Sequence, residues 1–305
     1  MKALGVAALG LLALSADAPQ VFRMAVDGVR VDVLVSENRR SVRGLTAANF
    51  VLRDRGVVQV IDSVSFEDVP VSVMLVLDTS SSVRGTALTH LRQAASAVVD
   101  RLTPADRAAL MTFNGAVSLD CDWTSDRRRL QDAIGRVDAG GATALHDAAY
   151  AALMLRDPSP GRPLVLVFSD AADTASWLPG ARVIELVQRH DAVVYGVNLR
   201  GAETRPLGYL ADFTSGIQAH LENVAAGAFK ESFIERLAGE SGGSVFLAEE
   251  SSELRAAFER IVAEFRSRYV IPYMPRGVEA AGWHPLQVSL KGRSGRVTAR
   301  RGYLR

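Results

Sequence analysis

The chain has 305 residues, of which 48% are hydrophobic and 23% charged, the balance of a globular protein with a full core in one or two domains. Its formal net charge of +1 gives no support to a general nucleic-acid or membrane-surface role. The single cysteine, Cys121, excludes an intramolecular disulfide and a cysteine-based zinc site, and the five histidines form no HExxH or other pair at ligand spacing.

At the N-terminus, Met1-Lys2 is followed by an apolar run from Ala3 to Leu14 and a small-residue stretch, Ser15-Ala16-Asp17-Ala18. This is the pattern of a secretory signal peptide over residues 1–18, with a second small-x-small exit at Ala13-Leu14-Ser15. The run is too short to span a bilayer, and no later stretch is long and apolar enough to do so. The protein is therefore expected to be exported, to the periplasm or the medium, without a membrane span.

Residues 19–70 read as a β segment. Val29 to Val35 alternates apolar and polar, Ser36 to Arg40 is a polar turn, and Leu45 to Phe50 is a short capped turn. Val51 to Gly56 and Val57 to Phe66 form a predicted hairpin closed at Arg55-Gly56. From Val71 the pattern changes. Val71 to Leu77 is almost wholly apolar, as in a parallel strand buried on both faces. A helix over Ala87–Leu102 follows, then strands at Arg107–Phe113 and Ala116–Cys121, the latter at a sheet edge. Helices are predicted over Ser125–Val137, with Ser125 as cap, and over Ala144–Leu155. Pro163–Phe168 is a second buried strand, Pro179–His190 a helix and Ala192–Val197 a third strand. Phe229–Gly239 (helix), Ser244–Leu247 (strand) and Ser252–Arg266 (helix) complete residues 71–268. Strands alternating with helices imply an α/β fold with a doubly wound, mostly parallel sheet and helices on both faces. Residues 201–227 lack period and are either a functional insertion or a plain loop. After Tyr269 the β pattern returns at Leu286–Leu290 and Arg296–Arg300. The flanks 19–70 and 269–305 are expected to join as one small β-sandwich beside the α/β core.

The first buried strand ends in Asp78-Thr79-Ser80-Ser81-Ser82. Open α/β sheets bind ligands at the carboxyl ends of their strands. One carboxylate and two hydroxyls on such a loop suit a hard cation that takes oxygen ligands. Further oxygen donors are expected from Gly140-Gly141-Ala142-Thr143 and from Phe168-Ser169-Asp170.

This set resembles the metal-ion-dependent adhesion site (MIDAS) of von Willebrand factor A domains. Asp78, Ser80 and Ser82 fall on that family's first loop, Thr143 on its Gly-Gly-Thr-type turn and Asp170 on its last loop. The resemblance covers roughly 71–268. Ser81 stands where glycine is common, Val83 where methionine is common and Ala171 where glycine often follows the last aspartate; no ligand position is lost. The stretches Val29–Phe50, Asp68–Ser72, Leu237–Gly243 and Ser267–Tyr273 resemble a bacterial exported subfamily, the VWFA-related acidobacterial type. The resemblance implies a Mg²⁺ ion, with Mn²⁺ or Ca²⁺ as substitutes, held by Asp78, Ser80, Ser82, Thr143 and Asp170. It also implies an open coordination position that captures an acidic side chain from another protein, in an adhesion or scaffold role without catalysis.

Other residues carry plainer expectations. His146 and Asp147 open a helix beside Thr143, where capping or packing is expected. Asp173 and Thr174 lie close to Asp170, where they either shape the rim of the site or, as the main expectation, face solvent. Asp120 and Asp122 are expected on a solvated edge and Arg127–Arg129 on an exposed helix face. Trp123 and Trp177 are either loop anchors or contact residues. No G-x-S-x-G frames Ser169, and there is no P-loop or G-x-G-x-x-G. A metal-assisted hydrolase remains an alternative in which the ion activates water, although no general base stands out. A further alternative is an assembly partner of a larger complex with a structural metal.

Overall fold

The computed structural model describes residues 28–38, 40–66, 69–159, 161–169, 173–199, 232–248 and 250–305. The expected signal peptide 1–18, the 201–227 insertion and Asp170 lie outside the described residues.

The core sheet grows from Val71–Asp78 (β6), all eight residues of which are buried. It pairs in parallel with Arg107–Phe113 (β7) on one side and Arg162–Phe168 (β9) on the other, with Val73 opposite both Ala108 and Leu164. Val193–Leu199 (β10) and Val245–Ala248 (β11) extend the sheet in parallel beyond β9. Val117–Thr124 (β8) pairs antiparallel to β7 and forms the outer edge, where the edge strand is predicted. The order is β11-β10-β9-β6-β7-β8. The chain thus leaves β6 to one side and returns to the other, so the topology reverses between β6 and β9. A crevice is expected there, at the carboxyl ends of these strands.

The strand period of two sorts the side chains of β6 onto opposite faces. Val71, Val73, Leu75 and Leu77 pack under Thr86–Asp100 (α1), Arg127–Arg136 (α2) and Leu254–Arg266 (α6), against Leu91, Val98, Ile134 and Phe258. Met74 and Val76 pack under Leu145–Met154 (α3), Gly180–Arg189 (α4) and Phe233–Ser241 (α5), against Ala149, Val183, Val187 and Leu237. This is the predicted doubly wound sheet with helices on both faces. Among the described residues no helix is long and apolar enough to cross a membrane.

Several element ends differ from expectation for local reasons. Helix α2 is capped by Asp126, not Ser125: the Asp126 carboxylate accepts the backbone N–H groups of Arg128 and Arg129 at 2.9 and 3.2 Å. Either residue type caps a helix well, so composition did not distinguish them. Helix α5 starts after Ser232, whose hydroxyl accepts the Glu235 N–H while the Glu235 carboxylate accepts the Ser232 N–H. The helix ends at Gly242, in a left-handed conformation at φ +83°. The Gly243 N–H then closes back on the Ala238 carbonyl at 2.8 Å. A Cβ on Gly243 would sit 1.8 Å from the Val194 carbonyl oxygen. The paired glycines of Leu237–Gly243 therefore let a helix end meet β10 backbone to backbone.

The flanking segments form two facing sheets. Val29–Glu37 (β1) pairs antiparallel with Tyr269–Tyr273 (β12), Val31 opposite Ile271, and with Arg296–Thr298 (β14). Arg40–Ser41 (β2) adds a short edge to β1. Phe50–Asp54 (β3) pairs with Trp283–Leu290 (β13), Leu52 opposite Val288, and with Val57–Val58 (β4); β13 also holds Gly302–Leu304 (β15). Val31, Val33, Phe50, Leu52, Tyr269 and Ile271 fill the space between the sheets. The predicted second strand of the hairpin, 57–66, is broken. Its first two residues stay with β3, and Gln59 turns into hydrogen bonds with the Arg276 backbone at 2.8 and 3.0 Å. Ser65–Phe66 (β5) then joins the opposite sheet beside β12.

Candidate functional site

The carboxyl ends of β6 and β7 and the turn that precedes α3 are tied together through backbone. The Thr79 N–H donates to the Phe113 carbonyl at 2.7 Å, and the Gly140 N–H donates to the Thr79 carbonyl at 2.7 Å. The Ser81 N–H donates to the Gly141 carbonyl at 3.0 Å, and the Ser81 hydroxyl accepts the Gly141 N–H at 3.0 Å. These bonds hold the Asp78–Ser82 loop against the Gly140–Thr143 turn.

Asp78 has no exposed surface, Ser80 is 2% exposed and Thr143 4%. The Asp78 carboxylate accepts the Ser80 N–H on Oδ1 at 2.9 Å and the Ser169 hydroxyl on Oδ2 at 2.7 Å. Ser169 follows β9, so this bond joins the ends of two adjacent strands at the topological switch. The hydroxyls of Ser80 and Ser82 lie 2.9 Å apart. Asp78, Ser80 and Ser82 therefore converge on one loop, and Thr143 stands on the turn bonded to it. Asp170 is the one site residue of the sequence reading that is not described. Among the described residues, no three His, Cys, Asp or Glu side chains gather as a metal site.

The rim is a second polar assembly. Thr143 accepts the N–H groups of Thr174 and Ala175 at 2.8 and 3.0 Å on its carbonyl, and its own N–H donates to the Thr174 hydroxyl at 3.0 Å. In the first turn of α3, the Asp147 carboxylate accepts the N–H groups of Trp177 and Leu178, each at 2.9 Å. Asp173 caps α3 from outside by accepting the His146 N–H at 3.2 Å. The His146 ring packs edge-on against Phe233, 4.3 Å between centroids. His146 thus has the packing role expected of it, whereas Asp147 holds the backbone of the Trp177–Leu178 loop and caps no helix. Asp173 is half-buried and bonded rather than solvent-facing.

The sequence reading missed Ser81 and Ser169. By sequence, Ser81 stands out only for replacing a glycine, and Ser169 only as a nucleophile without its elbow and as part of the donor stretch Phe168-Ser169-Asp170. A signal for Ser169 existed: it directly precedes Asp170 at a strand end, where a hydroxyl can reach the neighbouring strand's carboxylate. Trp123 is half-buried and packs beside the α3–α4 face of the core, whereas Trp177 is 94% exposed.

Comparison with known proteins agrees with this fold. Residues 73–172, from β6 to just beyond β9, match the family model of the von Willebrand factor type A domain. A UPF0353 protein of Mycolicibacterium gilvum is 24% identical over 231 residues, covering 69% of this chain and 64% of its own length. A von Willebrand factor type A protein from Catenulispora acidiphila superposes with a TM-score of 0.51 at 12% identity, covering 91% of this chain and 73% of that one. Proximal thread matrix protein 1 from the mussel byssus, described with a zinc-occupied MIDAS motif, gives a TM-score of 0.52 at 15% identity over 70% of this chain and 50% of its own. At these identities the structural matches speak for the fold.

Proposed function

We propose, for a chain that carries a von Willebrand factor type A domain, that Asp78, Ser80, Ser82, Thr143 and Asp170 hold one divalent cation, and that the protein is an exported binding protein rather than an enzyme. The observation that carries this reading is the 2.9 Å separation of the Ser80 and Ser82 hydroxyl oxygens. Two adjacent ligands of an octahedral Mg²⁺, each about 2.0–2.1 Å from the ion, are themselves about 2.9 Å apart. The pair needs little movement to exchange its mutual hydrogen bond for a shared ion.

The other donors fit the same cation. Asp78 is a fully buried carboxylate oriented by Ser80 and Ser169, the kind of outer support that fixes a ligand's direction. Three of the four described donors are neutral hydroxyls, which leaves the site short of negative charge. The ion supplies an open position that a carboxylate oxygen of another protein completes. Binding at such a site is an exchange of water for a ligand oxygen, which Mg²⁺ and Mn²⁺ support. The zinc-occupied MIDAS motif of the mussel protein is a parallel on the same fold.

Calorimetric titration of the purified protein with Mn²⁺ tests the reading. A single site is expected, abolished in Asp78→Ala. Heat of binding that is unchanged in that variant rules the site out.

A further inference from the structure

Trp177 is 94% exposed, while the next most exposed large hydrophobic among the described residues, Met154, is at 57%. Burying an indole removes on the order of 150–250 Å² of surface from water, so a bare tryptophan forgoes a large hydrophobic gain. It also lies on a loop that is held still. The Trp177 and Leu178 N–H groups both donate to Asp147, and the Asp147 N–H donates to the Ser176 hydroxyl at 3.1 Å. Ser176 in turn donates to Asp173, which caps α3. Two residues before Trp177, the Ala175 N–H is bonded to the carbonyl of Thr143 at 3.0 Å. None of these bonds uses the indole, so the loop's order does not depend on it. A rigid loop presenting an exposed aromatic has already met the ordering cost of binding, and tryptophan is over-represented among residues that dominate interface energies.

We propose that Trp177 is the apolar anchor of the metal-directed docking face, and that the partner segment carries an acidic side chain followed at short spacing by a large apolar one. This rests on the metal-capture reading above. The spacing follows from the chain. Two extended residues span at most about 7 Å, so the Trp177 Cα lies within about 12 Å of the Thr143 carbonyl. An extended peptide advances about 3.3 Å per residue, so about four residues or fewer separate the acidic and apolar side chains. The carboxylate alone would fit many proteins; the second contact makes the face selective.

Labelled Gly/Ser peptides carrying one Asp, one Phe, or an Asp with a Phe three residues on provide the test, read by fluorescence anisotropy with Mn²⁺ and with EDTA. The two-residue peptide is expected to bind at least roughly tenfold tighter than the Asp peptide, and only with Mn²⁺. Trp177→Ala is expected to erase that difference while leaving Mn²⁺ affinity and Asp-peptide binding unchanged, and Trp177→Phe to keep most of it. Metal-dependent binding with the same preference in Trp177→Ala, or no preference in the unaltered protein, overturns the assignment of Trp177. Peptide binding that ignores EDTA overturns the metal reading beneath it.

Discussion

Arg162, the first residue of β9, donates from Nε to Asp32 Oδ1 in β1 at 2.9 Å, across 130 residues of sequence and with both side chains buried. The pair joins the sandwich to the α/β core. Arg162 also donates to the Phe265 carbonyl at 3.1 Å and stacks over the Phe265 ring. Burial pushes the Arg162 guanidinium below its ordinary range, and the Asp32 carboxylate pulls it back. Beside it, the buried Arg268 donates to the Tyr195 hydroxyl at 2.9 Å and the Gly242 carbonyl at 2.6 Å.

Breaking this pair from one side leaves an uncompensated buried charge. Asp32→Ala is expected to lose about 3–5 kcal/mol of stability in urea denaturation. The double variant Asp32→Leu/Arg162→Met is expected to recover most of that loss. A loss below about 1 kcal/mol in Asp32→Ala would mean that the contact between the two units does not depend on the pair.

Ser169 is expected to act on the metal through Asp78. Ser169→Ala removes the hydroxyl donor of Oδ2 without touching the proposed ligand set. Mn²⁺ affinity is expected to fall by roughly 10–100-fold, against complete loss in Asp78→Ala. Calorimetry of both variants makes the comparison, and equal affinity in Ser169→Ala and the unaltered protein would remove Ser169 from the site.

His190 predicts an acid sensitivity. Burial, and after it the charge of Arg156, push its imidazole down to about 4, and Arg156 Nε donates to its Nε2 at 2.9 Å. The ordinary value is about 6.5. Between the two, the unfolded chain takes a proton that the folded chain refuses, so stability rises with pH. The contribution is complete above about pH 6.5 and is lost as pH falls toward 4, amounting to on the order of 3 kcal/mol. Urea melts at pH 4.5 and 7 are expected to differ less in His190→Gln than in the unaltered protein. An identical pH difference in both would assign the acid sensitivity to other groups.

Gly243→Ala is expected to cost about 3 kcal/mol or more, because the clash is with the backbone of β10 and no side chain can move aside. Thermal denaturation should show a clear drop, whereas Gly135→Ala, in the open on α2, should not. Equal melting temperatures for Gly243→Ala and the unaltered protein would refute the close approach.

The elements legible in the sequence were those with a local cause. The unbroken apolar run at Val71–Leu77, the polar edge strand around Cys121 and the capped turn at Thr46–Asn49 each follow from neighbours a few residues away. The turn is closed by the Asn49 side chain, which accepts the Thr46 N–H at 2.9 Å. The break in 57–66 was not legible, since Val57-Val58 and Ser65-Phe66 are both good strand pieces. What separates them is the Arg276 backbone that captures Gln59, more than 200 residues away. The same holds at the site, where Asp78-x-Ser-x-Ser announces a strand-end loop but the partnership of Ser169 with Asp78 depends on which strand lies next to β6.

The sequence by itself determined the layered α/β architecture, the position of a hydroxyl-rich cluster at a strand end and the presence of β-rich flanks, because hydrophobic period and turn chemistry act over a few residues. Only the tertiary structure decided that the flanks lock onto the core through Asp32 and Arg162, that Ser81 and Ser169 brace the cluster, and that Trp177 stands out on a braced rim while Trp123 packs against the core. Those outcomes are contacts between segments distant in the chain, and a hydrogen bond or a close backbone approach across such a distance leaves no periodic trace in either segment.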